Sequence, residues 1–298
     1  MAPPTLGSSP ELFRALAVVS EGTSPAHHRV AASLGVDPDT AAHTDLFCFQ
    51  LPPYAAVYLG AEGMLGGEAA GRVAGFWRAL GVTPSTEPDH LAALLGLYAA
   101  LTEAEADEPE PARRLLRAQA RHALLWEHLL PWVPVYAGVA ARVGTAAYRP
   151  WAETLASALL AEAAALPPGE GFLPLHLREA PGPAAPAEDG LDGYLGRLLA
   201  PIRSGMVITR RDLAGAARHL GLGLRMGERR FVLSALVTQD PPAVLGWLAD
   251  EARAWVDEHD RLVPVLGPVA AFWRGRAEEA ETNLRLLERE AKAPAGAP

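Results

Sequence analysis

Apolar residues recur along most of this chain at three- and four-residue steps, the spacing that puts them on one side of a helix. In Gly67–Leu80, the residues Ala70, Val73, Ala74, Trp77 and Leu80 form such a stripe. Leu91–Leu101 is apolar nearly all round, which predicts a central buried helix. A long helical pattern runs from Pro111 to Val143, with Arg113, Arg114, Arg117 and Arg121 on its early polar face. Pro131 and Pro134 are expected to end or kink it, because proline has no amide donor and clashes with the preceding turn. Trp151–Leu166 carries Leu155, Leu159 and Ala163 on one side of a further helix.

The composition then changes. Pro167–Gly190 holds six prolines and several glycines, too many for a helix or a central strand, so a linker or extended segment is expected there. Helices resume beyond it. Thr209 with Asp212 three residues on approximates a capping box, and Asp240-Pro241 is a strong start signal. Ala271–Ala291 reads as a charge-rich closing helix. Arg230–Val237 fits a strand, while Glu228–Gln239 fits a helix. No alternating strand pattern of useful length stands out otherwise, so the expected fold class is all-α. Its organisation is expected as a helical domain over 1–166, a Pro/Gly-rich linker over 167–189 and a helical extension over 190–298.

Charge sharpens this picture. The 298 residues carry a net charge of −9, which argues against nucleic acid as a partner of the whole surface and suits a cationic one. The distribution is uneven: residues 197–230 hold eight arginines against Asp212 and Glu228, a basic island in an acidic chain. Lys292 is the only lysine, which reads as the coding bias of a GC-rich genome. A single thiol, Cys48, excludes an intrachain disulfide framework and a multi-cysteine metal site; its apolar neighbours predict a small buried residue. Met1–Pro10 shows no basic and then apolar signal pattern. No apolar run reaches the ~20 residues that span a bilayer, so a soluble, cytoplasmic protein without membrane insertion is expected.

Motifs of common enzymes are missing. There is no phosphate-binding glycine loop, no His-Glu-x-x-His and no Gly-x-Ser-x-Gly elbow. No catalytic residue, cofactor or metal site is expected, since His90, His122 and His128 match no ligand spacing. Two constellations stand out instead. Glu87-Pro88-Asp89-His90 lies at the mouth of the most apolar helix, where a carboxylate is favoured by free amides. Trp126-Glu127-His128-Leu129-Leu130-Pro131-Trp132 ends at a proline, with rigid indoles beside a charge. Each reads equally as a helix start or as core aromatics. A loose helix-turn-helix over 209–227 keeps open a second class of function, a DNA-binding transcription regulator; an enzyme whose site the sequence hides is a third.

Glu87-Pro88-Asp89-His90-Leu91-Ala92 is followed by Leu116-Arg117-Ala118-Gln119 and then by Glu127–Pro134. In order and spacing, across Leu46–Leu166, this set resembles the TorD/DmsD/NarJ family of redox-enzyme maturation chaperones. The resemblance implies an all-α chaperone and not an enzyme. It implies a molybdopterin-dependent oxidoreductase subunit, or its twin-arginine signal peptide, as partner in the cytoplasm, with room for a homodimer. It also implies a peptide-binding site at Pro88, Asp89 and His90, with Trp126, Glu127, His128 and Trp132 as a neighbouring wall.

Overall fold

Side-chain caps set several of the helix starts. In the computed structural model, which describes residues 9–37, 39–186 and 190–293, Ser9 accepts the Leu12 amide at the start of Pro10–Glu21. Ser24 and His27 exchange bonds as a capping box for Pro25–Ser33. Thr209 and Asp212 form the expected box for Arg210–Leu220, and Asp240 caps Pro241–Leu266. Such caps satisfy amides that the helix itself cannot. Met1–Ser8, read above as free of a signal pattern, and residues 187–189 of the proline-rich stretch lie outside the described residues.

The described residues are all-α, with no strand among them; Tyr54 and His90 alone form an isolated antiparallel bridge. Arg229–Gln239 is a helix, which resolves the strand-or-helix ambiguity: Val232, Leu233, Leu236 and Val237 recur at helical spacing and are buried. Pro131 lies in the break after the π-helical turn Leu124–Leu129. Pro134 kinks nothing, because it sits in the first turn of Val133–Val143, where its missing amide hydrogen has no partner to lose.

The chain divides into two compact units. The first comprises the residues up to Ala56 together with Leu65–Arg178, and the second comprises Val57–Met64 together with the residues from Glu179 onward.

In the first unit the Leu91–Ala106 helix, apolar through Leu101, is central, and Pro10–Glu21 packs along it. Phe13 meets Tyr98 edge to face at 4.8 Å, and the Trp151 indole donates to the Leu16 carbonyl at 3.0 Å. A polar cross-brace ties Pro111–Ala123 to its neighbours. Arg121 bonds Glu105 at 2.7 Å and Glu162 at 3.2 Å, and the Tyr98 hydroxyl donates to Glu162. The proline-rich stretch is anchored as well: Leu175–Arg178 makes a helical turn with His176 and Leu177 buried.

In the second unit Pro241–Leu266 and Pro268–Lys292 form a long antiparallel hairpin about Gly267. His259 is fully buried there, stacked between Trp255 and Trp273, with Nε2 2.8 Å from the Gly205 carbonyl oxygen. The extended residues 181–184 are held by arginine and asparagine side chains. Arg276 donates to the Pro181 carbonyl at 2.7 Å, Arg203 to Gly182 at 3.0 Å and Asn283 to Ala184 at 3.1 Å. Arg203 also donates to Ala61 at 2.9 Å, which fixes the Val57–Met64 segment in this unit.

Candidate functional site

Pro52-Pro53-Tyr54 runs beside Glu87-Pro88-Asp89-His90 in the first unit, and the two segments are cross-bonded at every turn. The Leu91 amide donates to the Pro53 carbonyl at 2.8 Å, and the Ala55 amide donates to the Asp89 carbonyl at 3.0 Å. Tyr54 donates its hydroxyl hydrogen to Glu87 at 2.9 Å and packs its ring edge-on to His90 at 4.8 Å. The Trp77 indole donates to the Pro88 carbonyl at 3.2 Å.

This clamp revises the role expected of Asp89. The residue that caps the Leu91 helix is His90, whose Nδ1 accepts the Ala92 amide at 3.1 Å. Asp89 is buried and turns to another segment, where its carboxylate accepts the Ala56 amide at 3.0 Å. Burial pushes its carboxyl up, against the hydrogen bonds that pull it down.

The clamp forms one wall of a groove of about 960 Å³. Ala92, Ala93 and Gly96 of the central helix give it a floor of small residues; Ala17, Val18 and Glu21 come from the first helix. Phe47 and Cys48 enter from the π-helical turn Thr44–Gln50, and Trp77 from Gly67–Ala79. Cys48 is exposed here, contrary to the buried thiol expected from its neighbours. Leu46 and Phe47 take the buried side of the turn, leaving Cys48 and Phe49 outward.

Charge in the groove is acidic. Glu21 and Glu87 line it, whereas the Arg14 guanidinium is already paired with Glu103. Burial pushes the His90 and His43 imidazoles down, which keeps them neutral at neutral pH. Burial and the Glu87 carboxylate push the Tyr54 hydroxyl up to about 12, so it stays a donor. The arrangement offers carboxylates, one phenol and two neutral rings above an apolar floor. That chemistry suits an extended cationic peptide with apolar flanks. Among the described residues no group of three or more histidine, cysteine, aspartate or glutamate side chains converges as a metal site would.

The second constellation is not part of the groove. Trp132 is fully buried and donates to the His128 carbonyl at 2.9 Å. Trp126 is buried too, donating to the Leu166 carbonyl at 2.7 Å, with Phe172 against its ring. His128 is 7% exposed and sits between the rings of Phe76 and His176. The Glu127 carboxylate accepts the Leu175 amide at 2.7 Å and so caps the Leu175–Arg178 turn. Of Pro88, Asp89, His90, Trp126, Glu127, His128 and Trp132, only His90 lines the groove. Pro88 and Asp89 shape the wall from behind, and the other four hold the core and the following segment in place.

The groove residues missing from the sequence reading are Tyr54, Glu21, Phe47 and Cys48, together with Glu87, which lay within the motif. The signals for them were the doubled proline before Tyr54 and the aromatic pair flanking Cys48. In the arginine island, two arginines just beyond the 209–227 segment are engaged internally. Arg229 donates to the Ile208 carbonyl at 2.8 Å, and Arg230 pairs with Asp192. Among the described residues no helix is long and apolar enough to cross a membrane.

No curated protein matches the chain. Residues 40–137, which contain the clamp, the floor of the groove and both quoted motifs, match the family model for the nitrate reductase delta subunit, the NarJ/TorD-type family of molybdoenzyme maturation chaperones.

Proposed function

We propose that this chain is a cytoplasmic assembly chaperone, without catalytic activity, that binds a molybdopterin-dependent oxidoreductase subunit through a cationic peptide such as its twin-arginine signal. The observation that carries this reading is the acidic, small-floored groove, whose clamp and floor fall within the family-matched residues 40–137 and whose remaining wall, with Glu21, comes from the first helix. Glu21 and Glu87 meet the peptide's arginines, Tyr54 and His90 bond its backbone, and its apolar flank lies on Ala92, Ala93 and Gly96. Opposite charge steers such an encounter and fixes its register.

Titration calorimetry of the full chain with a synthetic signal peptide bearing paired arginines tests this. Reversal of both acids, in the double variant Glu21→Lys, Glu87→Lys, should weaken binding by about tenfold or more, the change expected when attraction becomes like-charge repulsion. Ala93→Phe fills the floor and should weaken binding comparably. Bound peptide should also slow alkylation of Cys48 at the groove's edge. Unchanged affinity in both variants, with unchanged melting curves, would sink the groove as the peptide site.

A further inference from the structure

Between Arg210–Leu220 and Arg229–Gln239 the chain turns through Gly221–Glu228 in the second unit. The turn is pinned at Gly223. The side-chain amide of Gln239 accepts the Gly223 amide hydrogen at 2.7 Å and donates to the Gly223 carbonyl at 2.9 Å. Gly221, at φ 68°, ends the first helix in the left-handed region. At Gly227, with φ 155°, a Cβ would come within 2.7 Å of the Phe231 ring, so only glycine lets that ring pack over the turn.

The segment between these pins carries its side chains into solvent. Met226 is 87% exposed, Leu224 47% and Phe231 50%. Arg218 and Arg225 are exposed beside them. Single exposed apolar residues are ordinary on a protein surface. Leu224 and Met226 on one fixed turn, with Phe231 in the first turn of the next helix and guanidiniums beside them, are an apolar tip with a cationic collar. Of the eight arginines in 197–230, Arg203, Arg229 and Arg230 turn to partners within the unit, so the collar is Arg218 and Arg225, against one exposed acid, Glu228. Electrostatics therefore presents this face, and not its acidic surroundings, to an anionic surface.

We propose that the Gly221–Phe231 turn docks the protein on an anionic phospholipid surface, with Leu224, Met226 and Phe231 entering the interface and the arginines at head-group level. A bilayer interface accepts the apolar tip and the cations together and demands no matching shape. A nucleic acid would meet the cations but leave Leu224 and Met226 in water. Because Gln239 and the glycines already fix the turn, little conformational freedom is lost on docking. Three side chains make a reversible contact, not an anchor.

Co-sedimentation of the full chain with vesicles decides this. Vesicles of phosphatidylglycerol mixed with phosphatidylcholine should bind the protein at least tenfold better than phosphatidylcholine alone. Raising salt from about 0.05 to about 0.5 M should release it, as screening weakens exposed charge pairs. Met226→Asp and Arg225→Glu should each weaken binding by roughly tenfold, since each places an anion at the membrane surface. Both positions are exposed, so circular dichroism and melting should not change. Met226→Trp should tighten binding. Equal binding to both vesicle types, undiminished binding of Met226→Asp, or no sedimentation at all would overturn the proposal, as would binding to duplex DNA in place of vesicles. The inference does not rest on the peptide groove: signal-peptide affinity of Met226→Asp should equal that of the unaltered protein, so either reading can fail alone.

Discussion

The carboxylate of Asp89 accepts the backbone amide of Ala56 at 3.0 Å, across 33 positions of sequence. This bond holds the Pro52–Tyr54 wall of the groove to the entrance of the central helix. Ala56 is fully buried, so its amide has no water to turn to. Asp89→Ala should cost about 2 kcal/mol in chemical denaturation, the price of an orphaned buried donor. Asp89→Asn keeps an acceptor in place and should lose less than half of that. Equal losses in the two variants would mean that the bond carries no weight.

Acid should weaken the first unit through His128. Burial pushes its imidazole down to about 3 from an ordinary 6.5. The unfolded chain then takes up a proton below pH 6.5 and the folded one does not. Stability is therefore full above pH 6.5 and falls as the pH drops toward 3. At pH 5 the loss from this one group is about 2 kcal/mol. Burial also lowers His43 and His90, which act in the same direction in this unit, and His259, which does so in the second. His128→Leu should flatten the pH dependence of the denaturation midpoint between pH 7 and pH 5 by about the same 2 kcal/mol. A dependence as steep as in the unaltered protein would place the acid sensitivity elsewhere.

Gly205 should tolerate no side chain. It sits at φ 69°, and a Cβ there would come within 2.5 Å of both the Ala277 amide and the Trp273 carbonyl. Neither backbone atom can yield without moving the Pro268–Lys292 helix. The left-handed conformation adds roughly 1–2 kcal/mol, and overpacking a further 1–3 kcal/mol. Gly205→Ala should therefore lower the melting temperature of the second unit by several degrees or more. The His259 signals in an NMR spectrum should shift with it, because the Gly205 carbonyl is the partner of its Nε2.

Where local chemistry suffices, the elements were legible in the chain. The central helix follows from an uninterrupted apolar run. Thr209 with Asp212 and Asp240 with Pro241 announce their helices, because a cap needs only neighbours three residues away. Legibility ends where a residue's partner is distant. Nothing near Glu127 says that it will cap Leu175, 48 positions on. Trp126 and Trp132 carry the same apolar area whether they line a groove or fill a core, and only their surroundings in the fold decide, among them Phe172 and the Leu166 carbonyl at Trp126 and Tyr136 at Trp132. The Pro-Asp-His motif lies beside the groove, yet its aspartate works behind the wall while Tyr54 and Glu87 face the cavity. Before Gln50, Thr40–His43 and Thr44–Gln50 are too short to show a period and Pro25–Ser33 buries only Ala31, whereas Pro10–Glu21 carries a helical stripe in Phe13, Leu16, Ala17 and Val19.

The eight residues from Val57 to Met64 belong to a unit whose other members start at Glu179. During synthesis the first unit can therefore gather its own segments while Tyr58 and its neighbours still lack the surroundings that will bury them. The second unit cannot be completed by its C-terminal residues alone; it must recruit a stretch made long before. A nascent chain released early would carry Val57–Met64 without the residues that bury it, and a cut after Arg178 would leave this segment on one fragment and the rest of its unit on the other.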